Sequence, residues 1–202
     1  NITVSGVDGN GTQENPFLIS DAEGMISLLR GHPGKYFKLT QDIDFSGVQD
    51  FDGIEFNGYL DGDHHTIRNA TVNGNGFFSG VGMNGAQYGT TTVKDLVLEN
   101  VTAAGNGNHV GAFATATDQA EVKNVGVTSG TVSNEVGLND LAGTGGFAGS
   151  ISGASKVENC YTYADVTNGK IVGGFVGVNT GSNGYMKYCY SSGRLSNGSA
   201  AG

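Results

Sequence analysis

The sequence is short of cations, cysteine and long apolar runs, and each shortage removes a class of protein. Ten Lys and Arg stand against nineteen Asp and Glu, a net charge of −9. That field repels nucleic acid and anionic membrane surfaces, and no local basic cluster offsets it. No apolar stretch approaches the ~20 residues of a membrane-spanning helix, so membrane insertion is not expected. Two cysteines, Cys160 and Cys189, are too few for a disulfide-stapled scaffold. They are also too few for zinc, which takes four ligands, and nothing nearby supplies the others. Asn1-Ile2-Thr3-Val4 has neither the positive start nor the apolar block of a signal peptide, and no initiator Met, which reads as a mature or excised segment.

Glycine, by contrast, is abundant: 36 residues in 202, with only two prolines. No Gly-x-y period runs through the chain, so collagen is excluded, and the glycines suit tight turns between short strands. Val, Ile, Leu, Phe and Tyr are plentiful enough to bury a continuous core, so the chain folds.

Aligned with itself, the chain repeats. Ile67-Arg68-Asn69-Ala70, Val93-Lys94-Asp95-Leu96, Val122-Lys123-Asn124-Val125, Val157-Glu158-Asn159-Cys160 and Met186-Lys187-Tyr188-Cys189 share one pattern, starting 26, 29, 35 and 29 residues apart. A second pattern interleaves with it and places Phe78, Phe113, Phe147 and Phe175 at intervals of 35, 34 and 28. The spacing varies where turn residues gather, at Gly82 to Gly89, Thr115 to Gln119 and Asn134 to Thr144. Between these, segments such as Val125-Gly126-Val127-Thr128 alternate with the period of half-buried strands.

Strands recurring every ~30 residues without intervening helices predict an all-β solenoid, a right-handed parallel β-helix whose stacked coils bury one another. Its handedness follows the general rule for parallel crossovers. The Phe row then forms an aromatic stack. Ala70, Leu96, Val125, Cys160 and Cys189 form an aliphatic one, and Asn69, Asp95, Asn124 and Asn159 bridge coils through their side chains. Cys160 and Cys189 become neighbours on adjacent coils, as buried thiols or as a disulfide.

Residues 1–34 read as a cap. Ser20-Asp21-Ala22-Glu23 resembles a capping box with Ser20 as N-cap, opening a short amphipathic helix that Gly31 and Pro33 end. Residues 35–202 read as β-helix coils. Ser196-Asn197-Gly198-Ser199 trails away without a matching device, so further coils or domains of a longer parent chain are expected beyond a truncated C-terminal end.

At these residues a family resemblance emerges. Gly173-Gly174-Phe175-Val176-Gly177, followed by Tyr188-Cys189-Tyr190-Ser191-Ser192-Gly193, resembles the GLUG repeat of bacterial surface proteins. Gly145-Gly146-Phe147-Ala148-Gly149 with Asn159-Cys160-Tyr161 is a looser copy, and Tyr36-Phe37-Lys38-Leu39-Thr40-Gln41-Asp42-Ile43-Asp44 resembles the segment that precedes such repeats. Tyr188 departs from the pattern by replacing the usual Asn. The resemblance implies a secreted or cell-surface bacterial protein, either an adhesin-like stalk or an accessory region of a surface protease of the immunoglobulin A peptidase type. It brings no catalytic residues and no cofactor.

Candidate chemistry is sparse. Asp61-Gly62-Asp63-His64-His65, with Asp42 and Asp44 a coil earlier, is the only ionisable cluster. A polysaccharide lyase or hydrolase needs paired carboxylates or a calcium site with a base, but Asp61-Gly62 fits a turn equally well. Arg68 is the only arginine nearby. Gly143-Thr144-Gly145-Gly146 lacks the Lys-Ser/Thr pair of a phosphate loop. The tyrosines are more suggestive. With Cys160 and Cys189 inward, alternation turns Tyr161, Tyr163, Tyr188 and Tyr190 outward, and stacks Tyr161 on Tyr190. Such a patch suits a sugar ring or a protein partner on a host or bacterial surface. The expectation is a non-catalytic structural or adhesive module; the alternative is a carbohydrate-active enzyme or its substrate-positioning domain.

Overall fold

The computed structural model describes residues 8–135, 141–196 and 198–201. Every strand pairing among them is parallel, and the strands fall into four sheets. A single turn of the chain visits all four. Ala120–Val127, Gly130–Asn134, Gly143–Gly145 and Ala148–Ile151 each lie in a different sheet, and Lys156–Glu158 then returns to the first. Each coil lacks a partner for its inner face until the next coil, about 4.8 Å away, supplies one. The fold is a parallel β-helix.

The registers confirm the repeat and correct its first copy. Val93, Val122, Val157 and Met186 lie opposite one another in successive coils. Ile67, however, pairs with Leu98, and Val93 pairs with Leu60. The Ile67 segment therefore belongs to the far half of the long sheet. Asn69 falls in step with Asn100 rather than Asp95, and Ala70 leaves the aliphatic row of Leu96, Val125, Cys160 and Cys189.

Two amide ladders result. Asn124 Nδ2 donates to Asp95 Oδ1 at 2.7 Å, and Asn159 Nδ2 donates to Asn124 Oδ1 at 3.2 Å. In the other ladder Asn100 Nδ2 donates to Asn69 Oδ1 at 2.8 Å, and Asn69 Nδ2 to Asp44 Oδ1 at 3.1 Å. The backbone explains the residue choice. Asp95, Asn124, Asn159 and Tyr188 have φ of +52°, +53°, +52° and +55°. At this corner the strand bends through the left-handed region, which Asn and Asp tolerate better than other side chains.

The aromatic stack is longer than the four-phenylalanine row. Phe17, Phe37, Phe56 and Phe78 follow one another with ring centroids 5.7, 5.9 and 5.8 Å apart. Phe113, Phe147 and Phe175 continue it at 5.3, 4.7 and 4.7 Å, so one spine threads nearly the whole core.

At the N-terminal end, Phe17–Ile19 pairs with Lys35–Leu39 and the helix Ala22–Gly31 buries Ala22, Met25, Leu28 and Leu29. Its N-cap is Asp21, not Ser20: the Asp21 carboxylate accepts from Gly24 N at 2.7 Å, so Glu23 closes no capping box. A carboxylate there also suits the positive end of the helix dipole. Two predicted turns differ as well. Gly85–Tyr88 winds into a short helix, and Thr115–Thr117 continues the strand Ala114–Thr117. Of the third, residues 136–140 lie outside the described residues.

Candidate functional site

The tyrosines are placed by the strands Tyr161–Thr162 and Tyr190–Ser191, which pair in register as Tyr161↔Tyr190. Thr162 and Ala164 turn inward and are buried, so Tyr161 and Tyr163 face outward. Tyr161 and Tyr190 stack with centroids 5.6 Å apart and planes 13° from parallel. Tyr163 lies 5.4 Å from Tyr161 and 6.0 Å from Tyr190, and its hydroxyl hydrogen-bonds that of Tyr190 at 2.9 Å. The hydroxyl contact with Tyr163 raises the Tyr190 pKa. Tyr188 stands apart at the corner, 77% exposed, and joins none of these ring contacts. The result is a three-ring plate with one projecting ring at its edge.

Under the plate the two thiols sit on adjacent coils, both free. Cys160 Sγ donates to Glu158 O at 3.2 Å and Cys189 Sγ to Lys187 O at 3.2 Å. The adjacent Cys189 and burial push the Cys160 thiol up, which keeps it protonated and inert.

The acidic cluster is consumed by ion pairs. Asp61 pairs with Lys94 at 2.7 Å, Asp63 with Lys38 at 3.1 Å, and Asp42 with Arg68. Asp44 accepts from Ser46 N and Asn69. The Thr66 N–H, with Arg68 and His65, holds the Asp42 carboxyl below its usual range, and the Ser46 N–H does the same for Asp44. Asp63 and His64 have φ of +48° and +64°, the geometry of a turn. Held in their ionised form, Asp42 and Asp44 make poor general acids. Among the described residues no three His, Cys, Asp or Glu side chains gather as a metal cluster.

A second outward feature escaped the sequence reading. Tyr36 packs at a tilt on Tyr59, with ring centroids 5.1 Å apart, and register carries that row through Thr92, Glu121 and Lys156 to Tyr185. The Lys187 ammonium lies 4.4 Å from the Tyr185 ring centre. Between Tyr59 and Tyr185 runs a trough of about 410 Å³, floored by Thr92 and edged by Lys94, Lys123 and Glu158. The available signal was the alternation that sends Phe37, Leu60, Val93, Val122 and Val157 inward.

The fold thus defines the class, a parallel β-helix with an aromatic outer face. No family model matches the chain. It is similar to halomucin of Haloquadratum walsbyi (strain DSM 16790 / HBSQ001), 31% identical over 154 residues that cover 67% of this chain. The chain spans 2% of halomucin's length. Among solved structures it is similar to a candidate immunoglobulin A1 protease from Bacteroides ovatus, with a TM-score of 0.45 and 17% identity over 96% of this chain and 86% of that one. No helix among the described residues is long and apolar enough to cross a membrane.

Proposed function

We propose that the chain is a non-catalytic extracellular module of a bacterial surface protein, and that it binds a glycan or protein partner through its tyrosine face. The observation that carries this reading is the plate of Tyr161, Tyr163 and Tyr190, three rings from two coils locked by stacking and a hydroxyl contact. A rigid aromatic surface binds with little loss of side-chain entropy, and Tyr188 adds an exposed ring at its edge. The partial match to halomucin suits a module within a much longer protein, and the GLUG-like motifs suit a secreted or cell-surface one. The ion-paired state of Asp42, Asp61 and Asp63 weighs against the carbohydrate-active alternative.

A glycan array probed with the purified chain tests the reading. Binding to at least one glycan is expected to fall about tenfold or more in a Tyr161→Ala/Tyr190→Ala variant, as when two aromatic anchors are lost. Turnover of any polysaccharide that Asp61→Asn or Asp63→Asn abolished would overturn it.

A further inference from the structure

Both cysteines of the chain fall at one place in the fold. Glu158 lies opposite Lys187 and Tyr161 opposite Tyr190, with two residues between them in each coil, so Cys160 stands directly over Cys189. The coils are tied at that point, where Tyr190 N donates to Cys160 O at 3.2 Å. Asn159 and Tyr188 turn the two strands through the same corner, at φ +52° and +55°, and aim the next side chains alike. The thiols accordingly make matching contacts. Cys160 Sγ reaches Val122 O at 3.7 Å and Cys189 Sγ reaches Val157 O at 3.6 Å, each on the preceding coil.

Residues in register on adjacent strands put their Cα atoms about 4.8 Å apart, inside the span of about 4.4–6.8 Å that a disulfide bridges. The two sulfurs also differ in the way an oxidisable pair requires. Cys160 is fully buried, whereas Cys189 is only partly covered. The Cys160 thiol beside it draws the Cys189 pKa down to about 7, so thiolate is present near neutral pH. A thiolate within reach of a small oxidant, next to a second thiol, is the arrangement in which a sulfenic acid is captured as a disulfide.

We propose that Cys160 and Cys189 form an oxidation site, at which hydrogen peroxide converts the two thiols into a disulfide that ties together the coils beneath the tyrosine plate. The Cys189 thiolate attacks one peroxide oxygen, the O–O bond breaks, hydroxide leaves, and Cys189 becomes a sulfenic acid. The Cys160 sulfur then attacks Cys189 Sγ and the S–O bond breaks. The departing hydroxide takes the Cys160 proton and leaves as water. The two thiols give up two electrons, and the peroxide accepts them. Contact with Cys189 is the first cause that holds Cys160 protonated, so converting Cys189 to the sulfenic acid lifts that restraint. The site goes beyond the binding reading and stands whether or not the plate takes a ligand.

Treatment of the full chain with hydrogen peroxide tests the site. Both thiols are expected to disappear from a thiol assay while the chain still migrates as a monomer without reductant. A tryptic map without reductant is expected to join residues 157–170 to residues 188–194, and dithiothreitol to separate them. Cys160→Ser is expected to stop at the sulfenic acid, which dimedone traps on Cys189. Cys189→Ser is expected to leave Cys160 unreacted at the same dose. The map of the unaltered chain does not depend on either variant folding. Thiols that are consumed without linking these two peptides would overturn the assignment. So would thiols that survive a dose at which the exposed Met186 is oxidised.

Discussion

Tyr161 lies across Gly126 of the preceding coil so closely that a β-carbon on Gly126 would fall 2.2 Å from the Tyr161 Cζ. The two residues are in register, and the space left by the missing side chain lets the ring lie flat against Tyr190. Gly126→Val is therefore expected to displace Tyr161 and dismantle the plate without touching a tyrosine. Valine suits a strand, so the far-ultraviolet circular dichroism should persist. The near-ultraviolet tyrosine signal should change, and glycan binding should fall as far as in Tyr161→Ala. An unaltered near-ultraviolet spectrum would contradict the packing.

Tyr188 occupies a backbone position that three earlier coils give to Asp95, Asn124 and Asn159. Holding an ordinary side chain in the left-handed region costs on the order of 1 kcal/mol. Tyr188→Asn is expected to recover about that much and to extend the ladder from Asn159. A rise in the urea midpoint at constant m-value would show the gain. A fall would mean that the Tyr188 ring packs in solution.

Much of the architecture was legible in the sequence, because coil stacking puts like residues at like intervals. Phe78, Phe113, Phe147 and Phe175 stood out because each follows the same Gly-rich bend. Phe17, Phe37 and Phe56 belong to the same spine, but their flanking residues differ, and ring stacking constrains position rather than neighbours. The Ile67 segment was misplaced for a related reason. Asn69 and Asp95 answer the same need for positive φ at two different corners, so the local pattern did not say which corner. The outward tyrosines near Cys160 followed from alternation.

Phe147 is fully buried, with Phe113 and Phe175 each 4.7 Å away. Truncating such a ring removes its transfer free energy and leaves a cavity between two stacked neighbours, so Phe147→Ala should cost about 3–5 kcal/mol. Phe175, only partly buried, should cost less when truncated. Chemical denaturation of the two variants measures the difference, and equal losses would argue against a continuous spine.

His109 gives the fold a pH dependence. Its Nδ1 accepts from Gly143 N at 2.8 Å, and burial lowers its pKa from 6.5. The folded state thus prefers neutral imidazole. Its contribution is complete above the unfolded pKa and is lost as pH falls through the folded one. Asp42, Asp44 and Asp95 are shifted below 3.8, so their contributions persist until more acidic pH. Melting temperature should decline as pH falls below 6.5 in the wild type. His109→Gln, which still offers an acceptor but does not titrate, should flatten that decline.

The stacked coils are tested most directly by ring-to-ring nuclear Overhauser effects in a deuterated chain with only Phe and Tyr rings protonated. Cross-peaks are expected from Phe113 to both Phe78 and Phe147, from Phe147 to Phe175, and from Tyr161 to Tyr163 and Tyr190. A spectrum in which Phe147 showed no contact with Phe113 or Phe175 would contradict the spine, and with it the register that builds the tyrosine plate.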